Sequence, residues 1–256
     1  MRLRELPEAE VRQALTAHRE ALAAGDRRLL KSDERSRISG VEIAGRRLVI
    51  KEVPFRGVAR GLVDLVRGSA ARRAWLGGHG LIARGVGAAR PLAFVESKRG
   101  RLSAGSAVLL EDLRSLQDAC DAAADSDREA VLYALAGLVA AMHRRQIDHG
   151  DLKSTHIFLE EQDGRLVPRL IDLEGVRFPR RIGPKRRLRA LAQLNASLPD
   201  AFPNDARCRA FARYLAEHPF PGGNRRALER LVVMSLARRH RWTGAGLHAP
   251  DPGLDP

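Results

Sequence analysis

His149-Gly150-Asp151-Leu152-Lys153-Ser154-Thr155-His156 runs straight into Ile157-Phe158-Leu159-Glu160, and after Gln162-Asp163-Gly164 the chain returns through Arg169-Leu170-Ile171-Asp172. An Asp-Gly pair between two short apolar runs is a strong hairpin signal. One carboxylate, Asp151, sits in the loop before the hairpin, and a second, Asp172, ends the strand after it. Folding the hairpin back brings both to one site. His-Gly-Asp alone is a common turn sequence, so its weight comes from what surrounds it.

Upstream, Asp127 to Gln146 is the clearest helix in the chain, with Val131, Leu132, Leu135, Leu138, Val139 and Met142 on one face. Glu111-Asp112-Leu113 marks a change from strand to helical patterning. Before it, strands are expected at Pro91 to Glu96 and Ser106 to Leu110, and a helix over 69 to 83, weakened in its second half by Gly77 and Gly78. Arg37 to Ile43 and Arg47 to Val53 alternate around Ala44-Gly45-Arg46 as an antiparallel hairpin, with Lys51 finishing the apolar Leu48-Val49-Ile50 on an edge strand and Pro54 closing it. A surface helix from Glu8 to about Ala24 precedes them. Downstream, Lys185 to Leu198, Ala206 to Glu217 and Arg225 to His240 carry helical patterns, and the last sixteen residues read as a flexible tail.

These elements meet the requirements of kinase-type phosphoryl transfer, in which one carboxylate orients a hydroxyl, a second holds magnesium and a strand lysine steadies the nucleotide phosphates. Asp151 takes the first role, Asp172 the second and Lys51 the third. Lys153 is placed to neutralise charge on the transferred group. His156 stands five residues after Asp151, where protein kinases carry a metal-binding asparagine. Magnesium prefers oxygen, so its imidazole has three readings: a metal ligand, an orienting group for Asp151 or a packing residue. His149 is expected to hydrogen-bond the backbone near Asp172.

Composition narrows the partners. The 256 residues carry 45 Lys and Arg against 31 Asp and Glu, a formal charge of +14, which predicts attraction to polyanions. Aromatic content of 4% argues against a base-stacking platform, so nucleic acid is not favoured. Cys120 and Cys208 form no metal or disulfide pattern. The start of the chain lacks a signal-peptide core and no apolar run is long enough to span a bilayer, which predicts a cytoplasmic protein, at most docked peripherally on the cytoplasmic face of the membrane.

The ordered set resembles the eukaryotic-like kinases, and most closely the bacterial lipopolysaccharide core kinase family that phosphorylates Kdo or heptose sugars. Met142-His143 with Ile147-Asp148-His149-Gly150-Asp151 is similar to that family's catalytic loop, and Leu170-Ile171-Asp172-Leu173-Glu174 to its metal-binding segment. Arg72-Arg73-Ala74-Trp75 resembles its N-lobe helix. The resemblance implies an α+β, bilobal protein-kinase-like fold: an N-lobe over 1–112, a helical C-lobe over 113–240 and a tail over 241–256. It implies an ATP- and Mg2+-dependent kinase acting on a hydroxyl of an anionic glycan or glycolipid, with Glu111 and Leu113 beside the nucleotide. A small-molecule or protein phosphotransferase of the same fold, and a pseudokinase acting as a basic binding module, are the competing readings. Two departures stand out: no glycine-rich motif precedes Lys51, leaving Ser32-Asp33-Glu34-Arg35-Ser36 in its place, and the helix near Arg72 holds no acidic partner for Lys51. Asp64 is the one acid between Glu52 and Glu96.

Overall fold

The computed structural model describes residues 5–55, 57, 64, 66–99, 102–122 and 127–245. These form two compact units. The first comprises Met1–Ala83, Ala89–Ser115 and Leu173–Val176, and the second Arg84–Ala88, Leu116–Asp172 and Arg177–Pro256.

In the first unit, α1 (Glu8–Ala24) precedes β1 (Leu29–Ser32), β2 (Arg37–Ile43) and β3 (Arg46–Pro54); α2 (Ala70–Ile82), β4 (Pro91–Arg99) and β5 (Leu102–Glu111) follow. The strands make one antiparallel sheet in the order β1-β2-β3-β5-β4. Alternation in β2 and β3 turns Val41, Ile43, Leu48 and Ile50 to one face, where they pack with Val11 and Ala14 of α1 and with Ala93, Ala107 and Leu109. Lys51 does not finish an edge strand. It pairs with Ile38 on one side and Val108 on the other, in the interior of the sheet, because the strand continues to Pro54.

The second unit holds β6 (Gln117–Asp118), α3 (Arg128–Arg144), β7 (Ile157–Gln162), β8 (Arg165–Leu170), α4 (Pro184–Ser197), α5 (Asn204–Glu217) and α6 (Asn224–Leu236). Asp127 caps α3, its Oδ1 accepting from the amides of Glu129 and Ala130, an arrangement worth about 1 kcal/mol. The apolar face of α3 is buried, and Leu135 and Met142 lie with Ile147, Leu152, Ile157 and Leu170 among the largest wholly buried side chains. Each such residue contributes roughly 1.5–3 kcal/mol. α6 ends at Leu236, earlier than its sequence pattern suggests, and the expected tail is packed over its first residues. Trp242 is buried, and its amide and that of Arg241 both bond to the Ala196 carbonyl; residues 246–256 lie outside those described.

Candidate active site

Asp151 lies in a loop whose course is fixed on both sides. Before it, Asp148 exchanges two backbone hydrogen bonds with Arg177 at 3.0 and 2.8 Å, and its side chain accepts from the amide of Gly150 at 3.1 Å. Gly150 itself sits at φ 82, a conformation that favours glycine. After it, Ser154 is wholly buried, its amide donating to Ser197 Oγ at 2.7 Å and its hydroxyl to the Ser197 carbonyl at 2.8 Å. The loop is thereby clamped to the end of α4.

The same helix supplies a residue that the sequence pattern did not single out. Gln193 Nε2 donates to Asp151 Oδ1 at 3.0 Å, while Lys153 Nζ lies 2.7 Å from Asp151 Oδ2. Each oxygen is thus held by one donor. A carboxylate offers about four lone-pair sites, so both keep accepting capacity towards a substrate hydroxyl. No spacing rule links Gln193 to Asp151; only the Ser154–Ser197 contact explains why they meet.

Asp172 lies two residues beyond the end of β8, not at its end, and adopts φ 57. Aspartate tolerates this left-handed conformation better than most residues, and such backbone conformations cluster at functional sites. The peptide before it is held from two directions: Ile171 donates its amide to the His156 carbonyl at 2.9 Å, and the Ile171 carbonyl accepts from His149 Nε2 at 3.0 Å. His149 therefore performs the backbone task expected of it. Burial lowers the imidazole's pKa below its ordinary value, and a neutral ring donating from Nε2 satisfies the bond.

His156 donates from Nδ1 to the Asp151 carbonyl at 2.9 Å, which in a neutral ring leaves Nε2 with its lone pair. Ligand atoms of Asp151, His156 and Asp172 lie within 4.8 Å of one another. Two carboxylates and an imidazole, whose Nδ1 lies 4.0 Å from Asp172 Oδ2, are a donor set suited to a divalent cation. A second grouping, Asp118, Cys120 and Asp121, has a local explanation. Asp118 Oδ1 accepts from the amides of Cys120 and Asp121, closing a turn.

In the first unit, Lys51 Nζ lies 3.6 Å from Glu174 Oε1. The acid that α2 lacks is supplied by the short 3-10 turn Leu173–Gly175. The two glycines of α2 make this possible: a Cβ at Gly77 would stand 2.4 Å from the Leu173 carbonyl oxygen, and one at Gly78 would stand 2.4 Å from Pro91 and 2.9 Å from Leu173 Cδ1. The residues that weaken the helical pattern are those that let the turn dock. Asp64 lies beside Arg73, 3.5 Å from its guanidinium.

Glu111 ends β5 opposite Leu48 and exchanges contacts with the main chain of Arg90, while Leu113 is buried. Between them, Asp112 holds Arg114 in a fork at 2.6–3.1 Å, and that guanidinium lies over Gly40, where a Cβ would meet it at 2.0 Å. The turn over Ser32–Ser36 is closed by Asp33 Oδ1, which accepts from the amides of Arg35 and Ser36 at 2.7 Å.

A family model described as lipopolysaccharide kinase (Kdo/WaaP) matches residues 69–214, more than half the chain. The protein belongs to this family. As a member of the Kdo/WaaP family it is a phosphotransferase acting on a hydroxyl group, a kinase that uses ATP and a divalent metal. Among solved structures it is similar to WaaP in complex with acyl carrier protein, with TM-score 0.66 and 21% identity over 93% of this chain and 98% of that one. It is also similar to the kinase domain of Mycobacterium tuberculosis PknI, with TM-score 0.44 and 18% identity over 81% and 94% of the two chains. No curated protein matches the sequence. The likeness to WaaP gives this family member its α+β, protein-kinase-like fold, with the sheet-rich unit in its N-terminal part and the helices in its C-terminal part.

Proposed function

We propose that the chain phosphorylates a hydroxyl of a lipopolysaccharide-core or related envelope glycan, with ATP as donor and Mg2+ as the metal. The observation that carries the reading is the meeting of Asp151, His156 and Asp172 in one cluster within a chain of this kinase family. Asp151 orients the acceptor hydroxyl and accepts its proton, its oxygens aimed by Gln193 and Lys153. Lys153 also offsets negative charge near the acceptor. Asp172 and His156 hold the metal, which supplies neutralisation of phosphate charge when bound. Lys51, aligned by Glu174, contacts the donor phosphates, and Glu111 and Leu113 border the nucleotide.

The acceptor class is supported by family membership and by the charge of +14, which suits an anionic glycolipid at the inner membrane surface. No described helix is long and apolar enough to cross a membrane. Transfer of labelled phosphate from ATP to extracted envelope glycans tests the reading. Asp151→Asn should lower the rate about 10³-fold, the middle of the range for a general base, with unchanged unfolding behaviour. Wild-type rates in that variant, or no acceptor among the glycans, would overturn it.

A further inference from the structure

The second unit has a cavity of about 530 Å³ where α4 begins and the loop after Phe220 leads into α6. It lies outside the carboxylate cluster, and its chemistry is different. Lys185, Arg226 and Arg230 line it, and none of the three has an ion-pair or hydrogen-bond partner among the described residues. The single acid on its wall, Glu229, is engaged by Arg225 at 3.4 Å. Three unpaired cations around one concavity repel one another and create a positive potential that an anion relieves.

The backbone adds to that potential. α4 and α6 both start at this cavity, neither has a side-chain cap, and neither carries an acid in its first turn. The uncapped amides at the start of α6 and the positive ends of two helix dipoles favour negative charge there. Gly222 and Gly223, at φ 89 and 96, also border the space, and nothing lies within 4 Å of where their Cβ atoms would be. A ligand can therefore approach the main chain closely. The volume falls in the range of small-molecule pockets, enough for a phosphorylated sugar and not only an ion.

We propose that this cavity is a subsite for a phosphate monoester already carried by the glycolipid acceptor, held by Lys185, Arg226 and Arg230. The assignment rests on the acceptor class proposed above. α4 connects the subsite to the chemistry: Gln193, which touches Asp151, is eight residues after Lys185, or about 12 Å along the helix axis. An oligosaccharide anchored at the start of α4 by its own phosphate has a rigid guide toward Asp151.

The test compares an acceptor before and after enzymatic removal of its phosphates, using the full chain and the Arg226→Ala/Arg230→Ala variant. Wild type should prefer the phosphorylated acceptor in kcat/KM by on the order of tenfold or more, as expected for charge-assisted contacts to phosphate. The variant should bring that ratio close to one at an unchanged unfolding midpoint. A preference retained in the variant overturns the proposal. Binding is read separately, so failure of the acceptor class does not obscure the site: glycerol 1-phosphate should shift the Gly222 and Gly223 amide resonances in wild type and not in the variant. Absence of those shifts overturns the site itself. Parallel titrations with inorganic phosphate and with phosphatidic acid vesicles separate the sources. Vesicle binding that depends on Arg226 and Arg230, with no preference between acceptors, overturns the acceptor assignment.

Discussion

Asp151 and Lys51 are both charged side chains held in place by partners, but the partners come from very different distances in the chain. Asp151 is clasped by Lys153 two residues away, and its carbonyl is bonded by His156 five residues away. Lys51 is met by Glu174, more than a hundred residues further on. Apart from Gln193, which reaches Asp151 from α4, the first arrangement is a loop motif that short-range spacing announces. The second depends on a 3-10 turn seated against Gly77 and Gly78, and no local pattern records that contact. In the Lys51 case the sequence loses an acid on the helix and gains two glycines, and the structure joins the two changes into one solution.

The largest effect is expected at Lys51. Lys51→Met should lower kcat/KM for ATP by about 10³-fold, because a cation on the transferred phosphates contributes on the scale of electrostatic transition-state stabilisation. Glu174→Gln keeps the shape and removes the charge, and about tenfold is expected, appearing mainly in KM for ATP. Steady-state kinetics with ATP varied at saturating acceptor separates the two. Equal losses in both variants would mean that Glu174 does more than align the lysine, and no loss at Glu174→Gln would remove it from the site.

Acid should distinguish the two units. In the second, His143 is buried against Tyr214, whose hydroxyl is 2.8 Å from Nδ1, and burial pushes its pKa down to about 3; His149 shifts in the same direction for the same reason. An unfolded histidine takes up its proton near pH 6.5. Below that pH the unfolded chain binds a proton that the folded one refuses, so stability falls as pH drops from about 6.5 toward 3 for His143, by up to about 1.4 kcal/mol per pH unit. In the first unit the contact of Glu52 with His18 holds the carboxyl below its ordinary value, and its contribution is lost only as pH falls below about 4.5. Hydrogen exchange between pH 7 and 5 should therefore show the second unit loosening while the first is unchanged. His143→Phe should blunt that loss; an undiminished pH slope in the variant would exclude His143 as its source.

What the sequence makes legible follows the same division. The long helix, the Asp-Gly hairpin and the β2–β3 pair are encoded within windows of twenty residues or fewer, and each appears at its expected place. β1 and β6 are too short for alternation to register. Asp172 reads as the end of a strand because Arg169-Leu170-Ile171 is apolar and continuous, yet the chain leaves the ladder after Leu170 to adopt φ 57 at the aspartate. Trp242 lies in a stretch rich in glycine and proline that reads as a tail, and its burial against the α4–α5 connection follows from contacts with Ala196 and Asn204 that sequence spacing does not announce. Buried Arg207 fixes that connection through the carbonyls of Phe202, Asn195, Leu198 and Pro199. An arginine in a helical pattern ordinarily reads as surface.

Gln193 is the smallest and most discriminating case, a neutral side chain that reaches Asp151 from α4. It is a positioning residue, and truncation to alanine removes one of the two clamps on the Asp151 carboxylate while leaving Lys153 in place. A loss of about five- to thirtyfold is expected in kcat, with KM for both substrates little changed, since one neutral-to-charged hydrogen bond contributes roughly 1–2 kcal/mol at a half-exposed site. A merely structural contact would lower the unfolding midpoint and leave the kinetics alone. Gln193→Glu separates the readings further. It sets a carboxylate where the amide now stands, 3.0 Å from Asp151 Oδ1, and two carboxylates at that distance cannot both ionise freely. The acid limb of the pH–rate profile should then move to higher pH, the signature of a raised pKa at the group that accepts the acceptor's proton. An acid limb that stays in place would mean that Gln193 supports the loop without influencing the charge of Asp151, and the clamp would then belong to the fold alone.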